Sequence, residues 1–192
     1  MKKLRKLRVG LLVLVFSLTL VAVVPVQAKT PLIGTMDLQY NLAWPGPQDE
    51  IPDWVGKITI DGDGDGIGEL YDMAFFAIGS GKAFVTPPFR GMIHFFEEIW
   101  VIGEINYEFN EDGILVVYEE VNILLWGYDK GTTNLQTSRY LMNGYVEEAN
   151  GDFEGWAGRR VHMAGIIEWQ ILGPPENPIV APLYAPGTFR IN

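Results

Sequence analysis

From residue 34 onward, apolar residues recur at the spacing of β-strands, and no segment keeps the spacing of an amphipathic helix. Residues 35–42 illustrate the pattern, because Met36 and Leu38 alternate with Thr35, Asp37 and Gln39. A period of two places apolar side chains on one face of a strand and polar side chains on the other. The chain is therefore expected to be all-β.

Further runs rich in aromatic and β-branched residues are separated by Gly, Pro, Asn and Asp, which favour turns. The predicted strands lie at residues 35–42, 55–60, 70–78, 92–105, 114–126, 138–148, 160–169 and 187–191. We expect a hairpin turn at 110–113, a polar loop at 127–137 and an extended, proline-rich tail from Gly173.

The close spacing of these turns leaves no room for the crossover helices that a parallel sheet needs. The two long central strands, 92–105 and 114–126, favour closure of the sheet, which requires tilted strands and removes exposed edges. The expected fold is an antiparallel up-and-down β-barrel of about eight strands, formed by a single domain at 29–192. A β-sandwich is the alternative.

Residues 1–28 have the organisation of a secretory signal peptide. Five cationic residues precede an apolar run at 9–24, and the small residue Ala28 stands before the expected cleavage site. An uncleaved membrane anchor at 9–24 is the alternative, since the run is only slightly shorter than a tilted span. The mature chain is expected to begin at Lys29 and to be secreted or exported to the cell envelope.

Without this leader the chain is strongly acidic. Nine Lys and Arg remain against 24 Asp and Glu, a formal net charge of −15. Such a surface repels nucleic-acid phosphates and anionic lipids, so a nucleic-acid partner is not expected and the membrane is contacted only through an uncleaved leader. Calcium or a cationic partner suits this field better. The chain contains no Cys, so its stability depends on its core and on any bound ion.

The most specific chemical motif is an acidic stretch at 61–72 that matches the opening of an EF-hand-type calcium loop. Alternate carboxylates repel one another, and a turn at Gly66 can direct them to one hard cation. The candidate metal ligands are Asp61, Asp63, Asp65, Ile67 (through its carbonyl), Glu69 and Asp72.

Two features depart from the EF-hand pattern: Asp72 replaces the usual bidentate Glu, and Gly68 replaces an apolar residue. The flanking residues also form strands instead of helices. We therefore expect a strand-flanked loop that binds calcium at roughly 10⁻⁴–10⁻³ M. A solvated acidic turn without an ion is the alternative.

Catalytic motifs are absent from the sequence, so catalytic residues are unknown and no organic cofactor is expected. His94 or His162 beside Glu98 or Glu168 could form a general acid–base pair, although hydrogen-bonded structural histidines explain the same pattern. The numerous aromatic residues either fill the core or line an apolar cavity.

Residues 143–146 (Asn-Gly-Tyr-Val) and 155–165 (Gly-Trp-Ala-Gly-Arg-Arg-Val-His-Met-Ala-Gly) resemble the final hairpin of calycin-like barrels, of the allene oxide cyclase type or lipocalin-like. The likeness covers the last third of the chain. The lipocalin Gly-x-Trp motif is absent, since Gly34-Thr35-Met36 stands near the first strand. The resemblance implies an up-and-down barrel that holds a small apolar ligand, and it carries over no catalytic residue.

The sequence is compatible with three functions. The first is a non-enzymatic exported barrel, stabilised by calcium, that binds a small apolar ligand or a surface partner. The second is an isomerase- or cyclase-type enzyme that uses the barrel cavity, and the third is a structural surface module with a filled core. The oligomeric state does not follow from the sequence.

Overall fold

The computed structural model describes residues 30–42, 51–61, 65–76, 82–86, 90–176 and 179–192. The predicted leader lies outside these residues. The strands of the described part are β1 Leu32–Tyr40, β2 Trp54–Asp61, β3 Glu69–Phe76, β4 Lys82–Thr86, β5 Arg90–Phe109, β6 Leu115–Asn134, β7 Arg139–Ala149, β8 Arg160–Ile166, β9 Glu168–Leu172 and β10 Ile179–Ile191.

Eight of these strands close into an antiparallel ring, in the order β1-β2-β3-β5-β6-β7-β8-β10 and back to β1. β9 continues the line of β8 after a break at Ile167 and also pairs with β10, and β4 pairs with β5. The expected all-β, antiparallel fold is confirmed, and the ring gives it a barrel-like arrangement.

The largest differences from the sequence prediction concern three strands, and β4 was not predicted. The predicted polar loop at 127–137 belongs largely to β6, which continues to Asn134. Its inward positions there are Gly127, Asp129, Gly131 and Thr133, so no apolar alternation marks the strand. The predicted strand 160–169 is divided at Ile167, and the last strand begins at Ile179 instead of residue 187.

A continuous apolar core occupies the interior of the barrel. Trp100 is fully buried with its ring centroid 5.6 Å from that of Phe189, so β5 packs against β10 across the barrel. Met73 and Met163 are also fully buried in this cluster. Between β7 and β8, the 3-10 helix Gly151–Trp156 buries Phe153 and Trp156 in the same core.

The hairpin of β5 and β6 is longer than the barrel wall, and its outer part folds back over the barrel. We call residues 104–122 the arm. The fold-back begins at Gly103, where a Cβ atom would lie 2.0 Å from the Asn122 carbonyl oxygen. Register shifts on both sides of Gly103 accompany this bend, as β-bulges do in strongly curved sheets.

The arm crosses the outer faces of β3 and β2 and reaches the end of β1. The backbone N–H of Ile105 donates to Asp72 at 3.2 Å, and that of Leu115 donates to the buried Asn41 side chain at 3.0 Å. Val55 and Ala74 form a second apolar cluster with the arm, outside the barrel. The wall is thus covered on one side by a second layer.

Candidate functional site

The acidic stretch forms the connection between β2 and β3, as expected, but its carboxylates have several different partners. Asp61 accepts the backbone N–H of Gly66 at 3.1 Å, and Asp65 accepts that of Ile67 at 2.6 Å. These bonds shape a tight turn, and Gly66 occupies the left-handed region with φ of 83°.

Further along, Glu69 and Asp72 already lie on β3. Glu69 accepts a hydrogen bond from the Tyr71 hydroxyl, and Asp72 forms an ion pair with Lys57 on β2. Asp63 lies outside the described residues. Among the described residues, no three carboxylate or histidine side chains are grouped closely enough to hold a metal ion. The calcium site stays a prediction.

Both histidines lie on the outer face of the barrel. His94 pairs across strands with Thr132, the neighbour of the inward-facing Thr133, and His162 Nδ1 lies 2.8 Å from Asn143 Oδ1. Glu98 faces inward, so the structure does not bring it together with either histidine. Glu168 is exposed at the start of β9.

Most of the aromatic residues serve the core. Phe75, Trp100 and Trp156 are buried, and Trp54 and Trp169 pack against them in part. Tyr145 and Phe96 are exceptions, because both are more than half exposed on the outside of the barrel.

A pair of buried carboxyl groups inside the barrel is the most unusual chemical feature of the structure. Glu98 on β5 stands directly opposite Asp129 on β6, and their exposed fractions are 3% and 5%. Glu98 and Asp129 share a hydrogen bond, for which one of them must be protonated, and in the described part of the chain no other partner reaches Glu98 Oε2 or the carboxyl oxygens of Asp129. Buried carboxyl groups with so few partners are rare in folded proteins, and they point to a functional role or to a bound species.

Burial disfavours the charged form of both groups. It raises the pKa of Glu98 well above the ordinary carboxyl range, and the negative charge of Asp129 raises it further. Burial also raises the pKa of Asp129. At neutral pH the pair therefore retains a proton that exposed carboxyl groups would have lost.

A cavity of about 40 Å³ adjoins Glu98. Its walls are otherwise apolar or aromatic, and they include Trp54, Phe95, Tyr140 and Met142. Pockets that bury whole small-molecule ligands usually measure roughly 300–1,000 Å³, so this cavity suits only a small group. The apolar ligand expected from the resemblance stays a prediction.

Sequence reasoning identified Glu98 only as a neighbour of His94 and missed Asp129, which fell in the predicted polar loop. Gly144 opposite Asp129 was a usable signal, because glycine makes room where an inward side chain needs it. A Cβ atom at Gly144 would lie 2.6 Å from the Asp129 Cβ.

A second concave site lies outside the barrel, between the arm and the wall formed by β5 and β6. This arm groove measures about 830 Å³. Its aromatic lining is Phe76, Tyr118, Trp126 and Tyr128, and its carboxylates are Glu119, Glu120 and Glu148.

The aromatic side chains of the arm groove form two edge-to-face pairs. Phe76 and Tyr118 have their ring centroids 5.8 Å apart, and Trp126 and Tyr128 have theirs 5.5 Å apart. The Trp126 indole N–H donates to Glu148 at 3.1 Å, which fixes the ring and the carboxylate relative to each other. The groove thus offers apolar ring surface beside negative charge.

Charge is distributed unevenly around the molecule. No Lys or Arg occurs between residues 91 and 129, which include the arm and much of the groove. The exposed cations Lys130, Arg139, Arg160 and Arg190 lie on β6, β7, β8 and β10, outside the lining of the groove. The lining of the groove therefore carries carboxylates and no Lys or Arg.

No protein-family model, curated protein or solved structure matches the chain. In the described part of the chain, no helix is long and apolar enough to cross a membrane.

Proposed function

We propose that this chain is an exported, filled-core β-barrel whose arm groove binds a cationic partner, namely an arginine- or lysine-rich segment of another protein. The observation that carries the proposal is the combination, in one groove of about 830 Å³, of four aromatic rings with three carboxylates. The barrel serves as a rigid support for this surface.

Charge complementarity favours a cationic occupant. Glu119 and Glu120 are exposed on the arm, where the surrounding sequence contributes only negative charge. A low-dielectric, like-charged cleft concentrates counter-ions and speeds the association of an oppositely charged partner. The formal charge of −15 expected for the mature chain acts in the same direction.

The aromatic lining favours a polypeptide cation over a simple ion. Guanidinium and ammonium groups bind to the faces of Trp and Tyr, and their aliphatic stems cover apolar surface. Trp126 and Tyr128 offer such faces beside Glu148. A bare metal ion would use the carboxylates and leave the rings without contacts.

The test is isothermal titration calorimetry of the mature chain with a short arginine-rich peptide and with a glutamate-rich peptide of equal length. We expect only the cationic peptide to bind. Replacing Glu119 and Glu120 together by Lys should weaken this binding by at least about ten-fold, or 1.4 kcal/mol.

The matched control replaces Glu168 and Glu176, two exposed carboxylates outside the groove, by Lys and so changes the net charge equally. It should retain most of the affinity. Equal losses in both double variants would mean that only the net charge matters. Failure of every cationic peptide to bind would favour the second candidate, a structural surface module, which the filled interior also supports.

Calcium stabilisation of the turn between β2 and β3 remains part of the proposal. Asp61 and Asp65 lie in one tight turn, and their carboxylates hold its backbone. Calcium binding at this turn is independent of peptide binding in the arm groove.

A further inference from the structure

The carboxyl groups of Glu98 and Asp129 lie side by side in the barrel interior. Two apolar side chains could be buried there at a lower cost in free energy. Burying a polar group without enough hydrogen-bond partners costs free energy, even when the group stays uncharged. Thr133, also inward on β6, is fully buried, and its hydroxyl has no partner in the described part of the chain. Thr133 lies four residues further along β6, so the acid pair and this hydroxyl are separate buried polar groups.

The cavity beside Glu98 combines that carboxyl group with aromatic rings. Tyr140, Trp54 and Phe95 contribute rings to the lining, and Glu98 is the lining residue that can ionise to a carboxylate. A carboxylate among aromatic side chains is a combination that recognises organic ammonium groups, since the face of an aromatic ring attracts a cation.

The Tyr140 ring is held in place by β8 and β10. Its hydroxyl lies 3.4 Å from the carbonyl oxygens of Ala185 and Pro186. Gly165 and Gly187 make room for it, because a Cβ atom at either position would lie within 2.5 Å of the hydroxyl oxygen. The part of the cavity wall that Tyr140 forms is therefore preformed.

The dimensions and the donor set exclude larger or harder ligands. A volume of about 40 Å³ holds a few water-sized groups, since one water needs roughly 10–15 Å³ on the same measure. Calcium takes six to eight oxygen ligands, whereas the lining residues around Glu98 are mainly hydrocarbon, ring and thioether groups.

We propose that this cavity binds a small protonated amine, either ammonium or a methylammonium-sized head group, with Glu98 as its counter-ion and Asp129 as the supporting carboxylate. The site is separate from the arm groove, which lies outside the barrel wall. A bound ammonium group would stabilise the ionised form of Glu98 in place of the proton that the free pair retains.

Binding should release protons. The free pair retains a proton at neutral pH, and a bound cation favours its ionised form. Other titratable groups facing the pair are Tyr140, which stays protonated because burial raises its pKa, and Asp53, whose negative charge adds to that of the pair. Affinity should therefore increase as the pH rises from 6 to 8.

The experiment is calorimetric titration of the mature chain with methylammonium chloride, with potassium chloride and methanol as comparators. We expect binding of methylammonium at one site, with a heat that depends on the ionisation enthalpy of the buffer, and no binding of methanol. Potassium binding as tight as that of methylammonium would overturn the amine assignment, and absence of methylammonium binding would overturn the site.

Glu98→Gln should weaken methylammonium binding by at least about ten-fold, and Asp129→Asn should reduce the number of protons released. The matched control is Glu97→Gln, which removes an exposed carboxylate one residue away and should leave both quantities unchanged. Thermal melting verifies that each variant is folded. Equal loss in the Glu97 and Glu98 variants would assign the effect to surface charge and refute the proposal.

Discussion

At the scale of single residues, Glu98 and Asp129 decide how the protein responds to pH. Both pKa values are raised in the folded state, mainly by burial. The folded state therefore holds more protons than the unfolded chain from about pH 4 upward, where ordinary carboxyl groups ionise. Since the unfolded state binds fewer protons, the free energy of unfolding decreases as the pH rises.

We predict that the melting temperature falls between pH 5 and pH 8, with a loss of about 1.4 kcal/mol per pH unit for each extra proton held by the folded state. The double variant Glu98→Gln, Asp129→Asn should be more stable than wild type at pH 8 and should show a flatter profile. Thermal denaturation across this pH range measures both. Parallel profiles for wild type and double variant would contradict the assignment, and Glu97→Gln serves as the control.

At the scale of secondary-structure elements, strand positions were predictable where one face of a strand is apolar. β1, β2 and β3 have this pattern, and their predicted ranges overlap the observed ones. The C-terminal part of β6 was not predictable, because its inward residues are glycines, Asp129 and Thr133. The pairing of Glu98 with Asp129 could not be predicted for the same reason.

The fold-back of the arm also could not be derived from local sequence. Residues 104–109 alternate like any strand of a long hairpin, and the bend at Gly103 depends on a backbone approach to Asn122 that only the tertiary structure defines. Asn41 supplies a second long-range tie, to Leu115, which is 74 positions away. The arm groove exists because of these distant contacts, so it had no signal in the sequence.

At the scale of elements, we predict that calcium binds the turn between β2 and β3 and stabilises the folded state. Calcium that binds only the folded state should stabilise it by about 1.4 kcal/mol at ten times the dissociation constant. The melting temperature should therefore rise in millimolar calcium and return to its starting value after chelation. Replacing Asp61 and Asp63 by Asn should abolish the rise, whereas Glu168→Gln should not. Identical calcium titrations of wild type and double variant would mean that the stretch is only an acidic turn.

At the scale of the whole molecule, the barrel is closed by its first and last strands. β1 pairs with β10 from Leu32 opposite Ile191 to Gln39 opposite Tyr184, and β10 also pairs with β8. The ring therefore joins segments about 150 residues apart in sequence. An internal deletion could leave neighbouring hairpins intact, but loss of the last strand affects two interfaces and the core together.

We predict that removing residues 187–192 abolishes cooperative unfolding of the entire domain. The deletion removes Phe189 and Ile191, both fully buried, and each large core side chain contributes roughly 2–5 kcal/mol. Their combined loss approaches the whole stability of a typical domain, about 5–15 kcal/mol. Hydrogen exchange should show loss of protection in Leu32–Tyr40, at the other end of the sequence. Arg190→Ala, which shortens one exposed side chain of the same strand, should melt close to wild type. A truncated chain that retains protected β1 amides would show that the ring is not the unit of stability.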